Sequence, residues 1–168
     1  MNARSPYLIV SLILLTFLFP VPTWAGFKEG SEAAEHGDYS TALREWRPLA
    51  EQGDADAQLE LGRLYHNGHG VAEDQREALK WYLRAAEQGN ALAQWLLGMS
   101  YQRGEGLPQD YQQAANWYRR AAEQGNDRGQ EWLAGLYLTG TGVPQDYVLA
   151  HMWSNLAAAQ GNAIGKYI

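Results

Sequence analysis

Cysteine is absent from the 168 residues, which excludes a disulfide framework, a thiolate nucleophile and a cysteine-ligated metal. Basic residues are in the minority: 13 Lys and Arg stand against 19 Asp and Glu, for a net charge of −6. The cations come singly or in pairs, and without a basic patch nothing draws nucleic acid or an anionic lipid surface. Long apolar runs are missing, with one exception. Residues 7–19, YLIVSLILLTFLF, are apolar apart from Ser11 and Thr16, and this run is shorter than the roughly 17–25 residues a membrane-spanning helix needs. Arg4 precedes it, Pro20 and Pro22 follow it, and Thr23-Trp24-Ala25 places a small residue at each of the two positions a signal peptidase reads. Residues 1–25 are therefore expected to be a signal peptide cleaved after Ala25, leaving a periplasmic or secreted protein without stable membrane insertion; a retained anchor is the alternative reading. With no disulfide to hold it, such a protein depends on packing alone.

What the chain does have is a period. Residues 54–89, 90–125 and 126–161 are three copies of a 36-residue unit that align without a gap, and 12 columns are identical in all three. These are headed by Gln58, Leu61, Tyr65, Gly68, Gly70, Asp74, Ala78, Trp81, Ala85, Ala86, Gln88 and Gly89. Gln58, Leu61, Gly62 and Tyr65 follow the i, i+3, i+4, i+7 spacing of one helix face. Asp54, Asn90 and Asn126 stand ahead of that first helix as N-caps. The glycines at 68 and 70, 104 and 106, 140 and 142 suit the left-handed cap and turn beyond its end. Asp74, Asp110 and Asp146 then cap a second helix whose buried face is Ala78, Trp81, Tyr82 and Ala85, and which stops at Gly89, Gly125 or Gly161. Ahead of the copies, residues 26–53 read as a shorter, tetratricopeptide-like hairpin marked by Gly30, Gly37, Asp38, Ala42 and Trp46. Residues 162–168 begin like a further first helix and are expected to form an incomplete C-terminal cap. Each unit is a helical hairpin that must stack on its neighbours to bury its apolar face.

The strings LGRLYHNGHGVAEDQREALKWYLRAAEQG, LGMSYQRGEGLPQDYQQAANWYRRAAEQG and LAGLYLTGTGVPQDYVLAHMWSNLAAAQG resemble the Sel-1-like repeat, a tetratricopeptide-related family, in its exported bacterial type. The resemblance covers residues 54–161. It implies an all-α fold, a right-handed α-solenoid of antiparallel helix hairpins, whose first helices line the concave side and whose partner is a protein or peptide. The third copy departs by having Ala134 where the others have Gly62 and Gly98, with Gly135 one position later, so the pattern speaks less directly for that helix contact in this copy.

Catalytic constellations are scarce. Of His36, His66, His69 and His151, only His66 and His69 are close in sequence, and Glu105 and Thr141 replace His69 in the later copies, so no metal site is expected. Gly68-His69-Gly70 lacks the strand-to-helix setting and the lysine of a phosphate loop and reads as a helix stop. Some exported, cysteine-rich relatives resemble penicillin-binding proteins in activity, but neither cysteine nor a Ser-x-x-Lys signature occurs here. The acidic pairs Glu29 with Glu32 and Asp54 with Asp56 read as solvated helix ends. No catalytic residue and no cofactor is indicated.

Function is expected instead on columns of the first helix that vary while the packed columns stay fixed. These are Asp56, Leu92 and Arg128; Leu59, Trp95 and Glu131; Arg63, Met99 and Gly135; His66, Gln102 and Leu138; Asn67, Arg103 and Thr139. Trp95, flanked by Met99 and Arg103, and Trp132 on the neighbouring helix have the composition of a binding hot spot; the alternative is that both tryptophans fill gaps between first helices. The leading expectation is a protein-binding adaptor or scaffold in the cell envelope. The others are an enzyme, or a regulator of one, acting on cell-wall material, and a self-associating structural protein that pairs through its C-terminal hairpin.

Overall fold

A computed structural model describes residues 23–160 as eight α-helices of 13 residues each, with no strand among the described residues. The helices are α1 Thr23–Glu35, α2 Tyr39–Glu51, α3 Ala55–Asn67, α4 Gln75–Glu87, α5 Ala91–Arg103, α6 Tyr111–Glu123, α7 Asp127–Thr139 and α8 Tyr147–Ala159. Residues 1–22 of the expected leader and the expected cap at 162–168 lie outside the described residues, and α1 takes in the leader's last three positions. Each helix packs on the next, pairing α1 with α2, α3 with α4, α5 with α6 and α7 with α8, and each pair packs on the one before it. The result is an α-solenoid of helical hairpins.

The ends of these helices follow from side chains that satisfy stranded backbone groups. Asp54, Asn90 and Asn126 accept the backbone N–H of Ala57, Ala93 and Gly129 at 2.8, 2.9 and 2.7 Å. Asp74, Asp110 and Asp146 each accept two N–H groups at the starts of α4, α6 and α8. The first helices end on Gly68, Gly104 and Gly140 at φ of 67°, 73° and 71°, a left-handed cap that favours glycine. The loop beyond them is closed by the N–H of Asp74, Asp110 or Asp146 donating to the carbonyl of Tyr65, Tyr101 or Tyr137. A Cβ on Gly70 would stand 2.8 Å from the carbonyl oxygen of Tyr39, so the same loop also seats against the start of the preceding second helix.

A glutamine clasp joins the hairpins. Gln58, Gln94 and Gln130 are buried, and each donates from Nε2 to a carbonyl in the last turn of the previous hairpin: Ala50 at 3.0 Å, Ala86 at 3.0 Å and Ala122 at 3.2 Å. Each accepts at Oε1 from a second glutamine 30 residues on, Gln88, Gln124 or Gln160, at 2.7, 2.7 and 2.9 Å. Both ends of every buried amide are thus satisfied, the condition for a polar group to sit in a core without penalty.

Small residues set how closely the two helices of a hairpin approach. A Cβ on Gly62 or Gly98 would lie 2.6 Å from the ring of Tyr82 or Tyr118, both fully buried. In the last hairpin the pair changes together, Ala134 replacing the glycine and Ser154 the tyrosine. The lost ring leaves room for the methyl group, so the change at Ala134 is matched by one on the facing helix. Trp81 and Trp117 are buried at the hairpin boundaries with Arg84 and Arg120 lying over their rings at 4.4 and 4.5 Å. Tyr147 opens α8 and is exposed.

Two outcomes follow. Gly98→Ala should lower stability by about 1–3 kcal/mol through overpacking against Tyr118, whereas Gly135→Ala, with nothing within 4 Å of the new Cβ, should raise it by about 1 kcal/mol; paired denaturant melts read both. Hydrogen bonds from Thr41 and Ser40 hold the Asp38 carboxyl at about 2, below its usual 3.8. Because the folded value is depressed, the contribution of this cap to stability is present above pH 3.8 and is lost as pH falls through about 2. Carboxyl NMR titration should find Asp38 among the last carboxylates to protonate, and a midpoint near 3.8 would contradict the cap.

Candidate functional site

Two open cavities lie along the first helices. One, of about 550 Å³, is lined by Arg63, His66 and Asn67 of α3, Tyr82 of α4, Leu92, Trp95 and Leu96 of α5, and Asn126, Asp127 and Arg128 where α7 starts. The other, of about 390 Å³, lies between the first two hairpins and is lined by Glu35, Tyr39, Glu60, Arg63, Asn67 and His69 among others. Arg63 and Asn67 line both. The two cavities therefore share one turn of α3 as a wall, and the surface they line between them, from α1 to α7, is here termed the trough.

Within it, α5 presents Trp95 half-buried, and the Arg128 guanidinium lies over the indole at 4.8 Å from its centroid, a cation–π contact. The indole Nε1 is buried without a hydrogen-bond partner. Leu92, one turn before Trp95, and Leu96, the residue after it, line the same cavity, and Arg63 pairs with Glu60 at 3.1 Å. Burial pushes the Tyr82 phenol well above its usual value, so it remains a neutral hydroxyl. At the other end of the trough the His69 ring stacks on Tyr39, with centroids 4.1 Å apart and planes 16° from parallel. That stack accounts for His69 structurally. No group of three or more metal-ligating side chains occurs among the described residues.

The residues singled out from sequence separate into three groups. Arg63, His66, Asn67, Leu92, Trp95 and Arg128 meet in the larger cavity. Leu59 does not reach the surface: it is 5 % exposed and packs with Tyr82, Ala93 and Leu97. Its shorter side chain is covered between α3, α4 and α5, which corrects its placement on the binding face. The remainder lie elsewhere. Asp56 accepts from Asn90 Nδ2 at 2.9 Å and ties two helix starts together. Met99, Trp132 and Leu138 are half-buried against the core around Tyr118 and Leu133, Trp132 with its ring stacked over Tyr118. Gln102 Oε1 accepts from the Tyr118 hydroxyl at 2.7 Å. Arg103 reaches Glu105 at 3.4 Å, Glu131 is half-buried, and the Thr139 hydroxyl donates to the Gly135 carbonyl. The arginine beside Trp95 is thus Arg128 of the next hairpin rather than Arg103. Arg103 lies eight residues along α5, about 12 Å away. Tyr82, Leu96, Asn126 and Asp127 were not singled out. Leu96 had a signal, since its column runs Glu60, Leu96 and Trp132, as variable as those chosen.

The Sel1 repeat family model matches residues 55–90, 91–126 and 128–162. The chain belongs to the Sel1 repeat family. Among solved structures, a Sel1 repeat protein from Oxalobacter formigenes is 35 % identical with a TM-score of 0.78, the match covering 82 % of this chain and 55 % of that one. A protective antigen of uropathogenic Escherichia coli, c5321, described as displaying an SLR fold, is 30 % identical with a TM-score of 0.59, covering 86 % of this chain and 40 % of that one. Cysteine rich protein B of Helicobacter pylori shares the fold at 19 % identity and a TM-score of 0.57, over 83 % of this chain and 93 % of that one. The chain thus spans 55 % and 40 % of the length of the first two. Comparison with curated proteins gives no match. Sel1 repeats are known as protein–protein interaction scaffolds, typically without catalytic activity. None of the described helices is long and apolar enough to cross a membrane.

Proposed function

We propose that this Sel1 protein is an exported adaptor that holds an extended segment of a partner protein in the trough across α1, α3, α5 and α7. The observation that carries this reading is the sharing of Arg63 and Asn67 between the two cavities, which makes one continuous surface from residues that vary between repeats. First helices at roughly 8–10 Å spacing give the trough a length of roughly 25–30 Å, room for about eight extended residues at about 3.3 Å each. Its chemistry is mixed. Trp95, Leu92 and Leu96 offer an apolar seat, Arg63 and Arg128 offer cations, and Glu35 and Glu60 place acid at the α1 end. A partner segment with an apolar side chain beside an acidic one suits the α5 end. Variable residues can take up a partner without harm to the solenoid because the core columns are held by other side chains. Export to the periplasm or beyond it rests on the expected leader, residues 1–25.

Crosslinking capture from the native envelope, followed by affinity measurement with the captured partner, tests the reading. Trp95→Ala should weaken binding about 30-fold or more, as loss of a hot-spot residue does. Arg63→Ala and Arg128→Ala should weaken it at a cost to folding stability of no more than about 1 kcal/mol, the size of the surface contacts they lose, and Lys80→Ala on the outer face of α4 should have no effect. Equal affinity for wild type and all three trough variants would remove the trough from the interface.

A further inference from the structure

α8 breaks the repeat on the face that the other second helices give to water. Arg76, Lys80 and Arg84 on α4, and Gln112, Asn116 and Arg120 on α6, occupy three exposed columns spaced by four. In α8 the same columns hold Val148, Met152 and Leu156, exposed to 79, 41 and 44 %. Spacing of four lays them along one ridge of the helix, and Tyr147, 65 % exposed, stands beside its start. From Tyr147 to Ala159 there is no Asp, Glu, Lys or Arg. The ridge is not the side on which one hairpin stacks on the next. On α4 that side is marked by Leu79, which packs with Ala93 and Leu97 of α5; its column in α8 is His151, exposed and hydrogen-bonded to Asn155 at 2.9 Å. The stacking side of α8 has therefore turned polar at this column while the outward ridge has turned apolar.

We propose that the ridge pairs two copies of this chain, α8 lying antiparallel to α8 across a two-fold axis near Met152. Charge favours this occupant. A chain of net charge −6 repels its own copies, and a helix without Asp, Glu, Lys or Arg lets two of them meet with no carboxylate, ammonium or guanidinium desolvated between them. A lipid surface is disfavoured by the same feature, because helices that lie on membranes carry Lys and Arg on their polar face and α8 carries neither. Geometry agrees. A ridge of period four is self-complementary when reversed: Val148 faces Leu156 of the second copy, and Met152, flexible enough to fill the centre, meets its own counterpart. Antiparallel pairing also opposes the two helix dipoles favourably. A 13-residue helix, roughly 20 Å long, offers less than the roughly 800 Å² per partner of a stable interface. The pair is accordingly a reversible one, set by protein concentration.

The absence of cysteine makes the test direct. In the full chain, Met152→Cys introduces a single thiol at the proposed axis, and Lys80→Cys introduces one in the same column of α4. Under mild oxidation Met152→Cys should form a disulfide-linked dimer at least about ten times faster, through its higher effective concentration; association through another part of the chain would give Met152→Cys no such advantage. Sedimentation of wild type should show a monomer–dimer equilibrium between about 1 µM and 1 mM. The triple variant Val148→Arg, Met152→Lys, Leu156→Arg, which carries the residues of α4, should abolish it with helical content unchanged. If the triple variant does not fold, the cysteine pair decides alone. Equal crosslinking at the two positions, or a wild type that stays monomeric throughout, would overturn the proposal, and a monomer that co-sediments with neutral phosphatidylcholine vesicles would give the ridge to lipid instead.

Discussion

The solenoid depends on a buried amide held at both ends. Gln94, 4 % exposed, gives its N–H to the carbonyl of Ala86 in the hairpin before and takes the N–H of Gln124 from the end of its own hairpin. Gln58 and Gln130 repeat the arrangement. Apolar packing alone is tolerant of small slips, because Ala, Leu and Tyr surfaces attract one another in many registers. An amide out of water is not tolerant, since a missed partner leaves a polar group stranded at a cost of about 1–3 kcal/mol. The clasp fixes which turn of each first helix meets the end of the preceding hairpin. The tyrosine-over-glycine contacts inside the hairpins then fix how near the two helices come.

A trough exists because this register repeats. Arg63, Trp95 and Arg128 belong to three different hairpins, and they face a common space because each first helix is set on its predecessor in the same way. Arg128 reaches the Trp95 ring from the start of α7, a contact between hairpins that a shift of one turn, about 5.4 Å, would abolish. Scaffold and binding surface are thus built from alternating columns of one helix. The fixed columns determine position, and the variable ones are free to determine affinity.

Much of this was legible in the chain. Asp74, Gly68 and Gly70 each answer a local backbone demand, an open N–H or a left-handed φ, and recurrence in three copies separates such demands from chance. Ala78, Trp81 and Ala85 were readable as a buried face for the same reason. The glutamines were visible as identical columns, but their role was not: Gln58 and Gln88 are 30 residues apart, and only the antiparallel closure of a hairpin brings them together. Leu59 was misplaced because a helix with neighbours on two sides buries more than one stripe. The partnership of Trp95 with Arg128 depends on the rotation between adjacent hairpins, which no spacing within a repeat encodes.

The register claim has one direct measurement, a double-mutant cycle on Gln94 and Gln124. Unfolding free energies are needed for wild type, Gln94→Ala, Gln124→Ala and the double variant, with helical content matched in all four. The bond between hairpins runs from Gln94 to the Ala86 carbonyl, and Gln124 holds that amide from inside the hairpin. If the clasp sets the stacking, the two substitutions are coupled by about 1 kcal/mol or more, because without Gln94 there is no amide left for Gln124 to hold. Additive losses, with coupling no greater than the roughly 0.3–0.5 kcal/mol typical of independent sites, would contradict it and leave apolar packing alone to hold the hairpins in place.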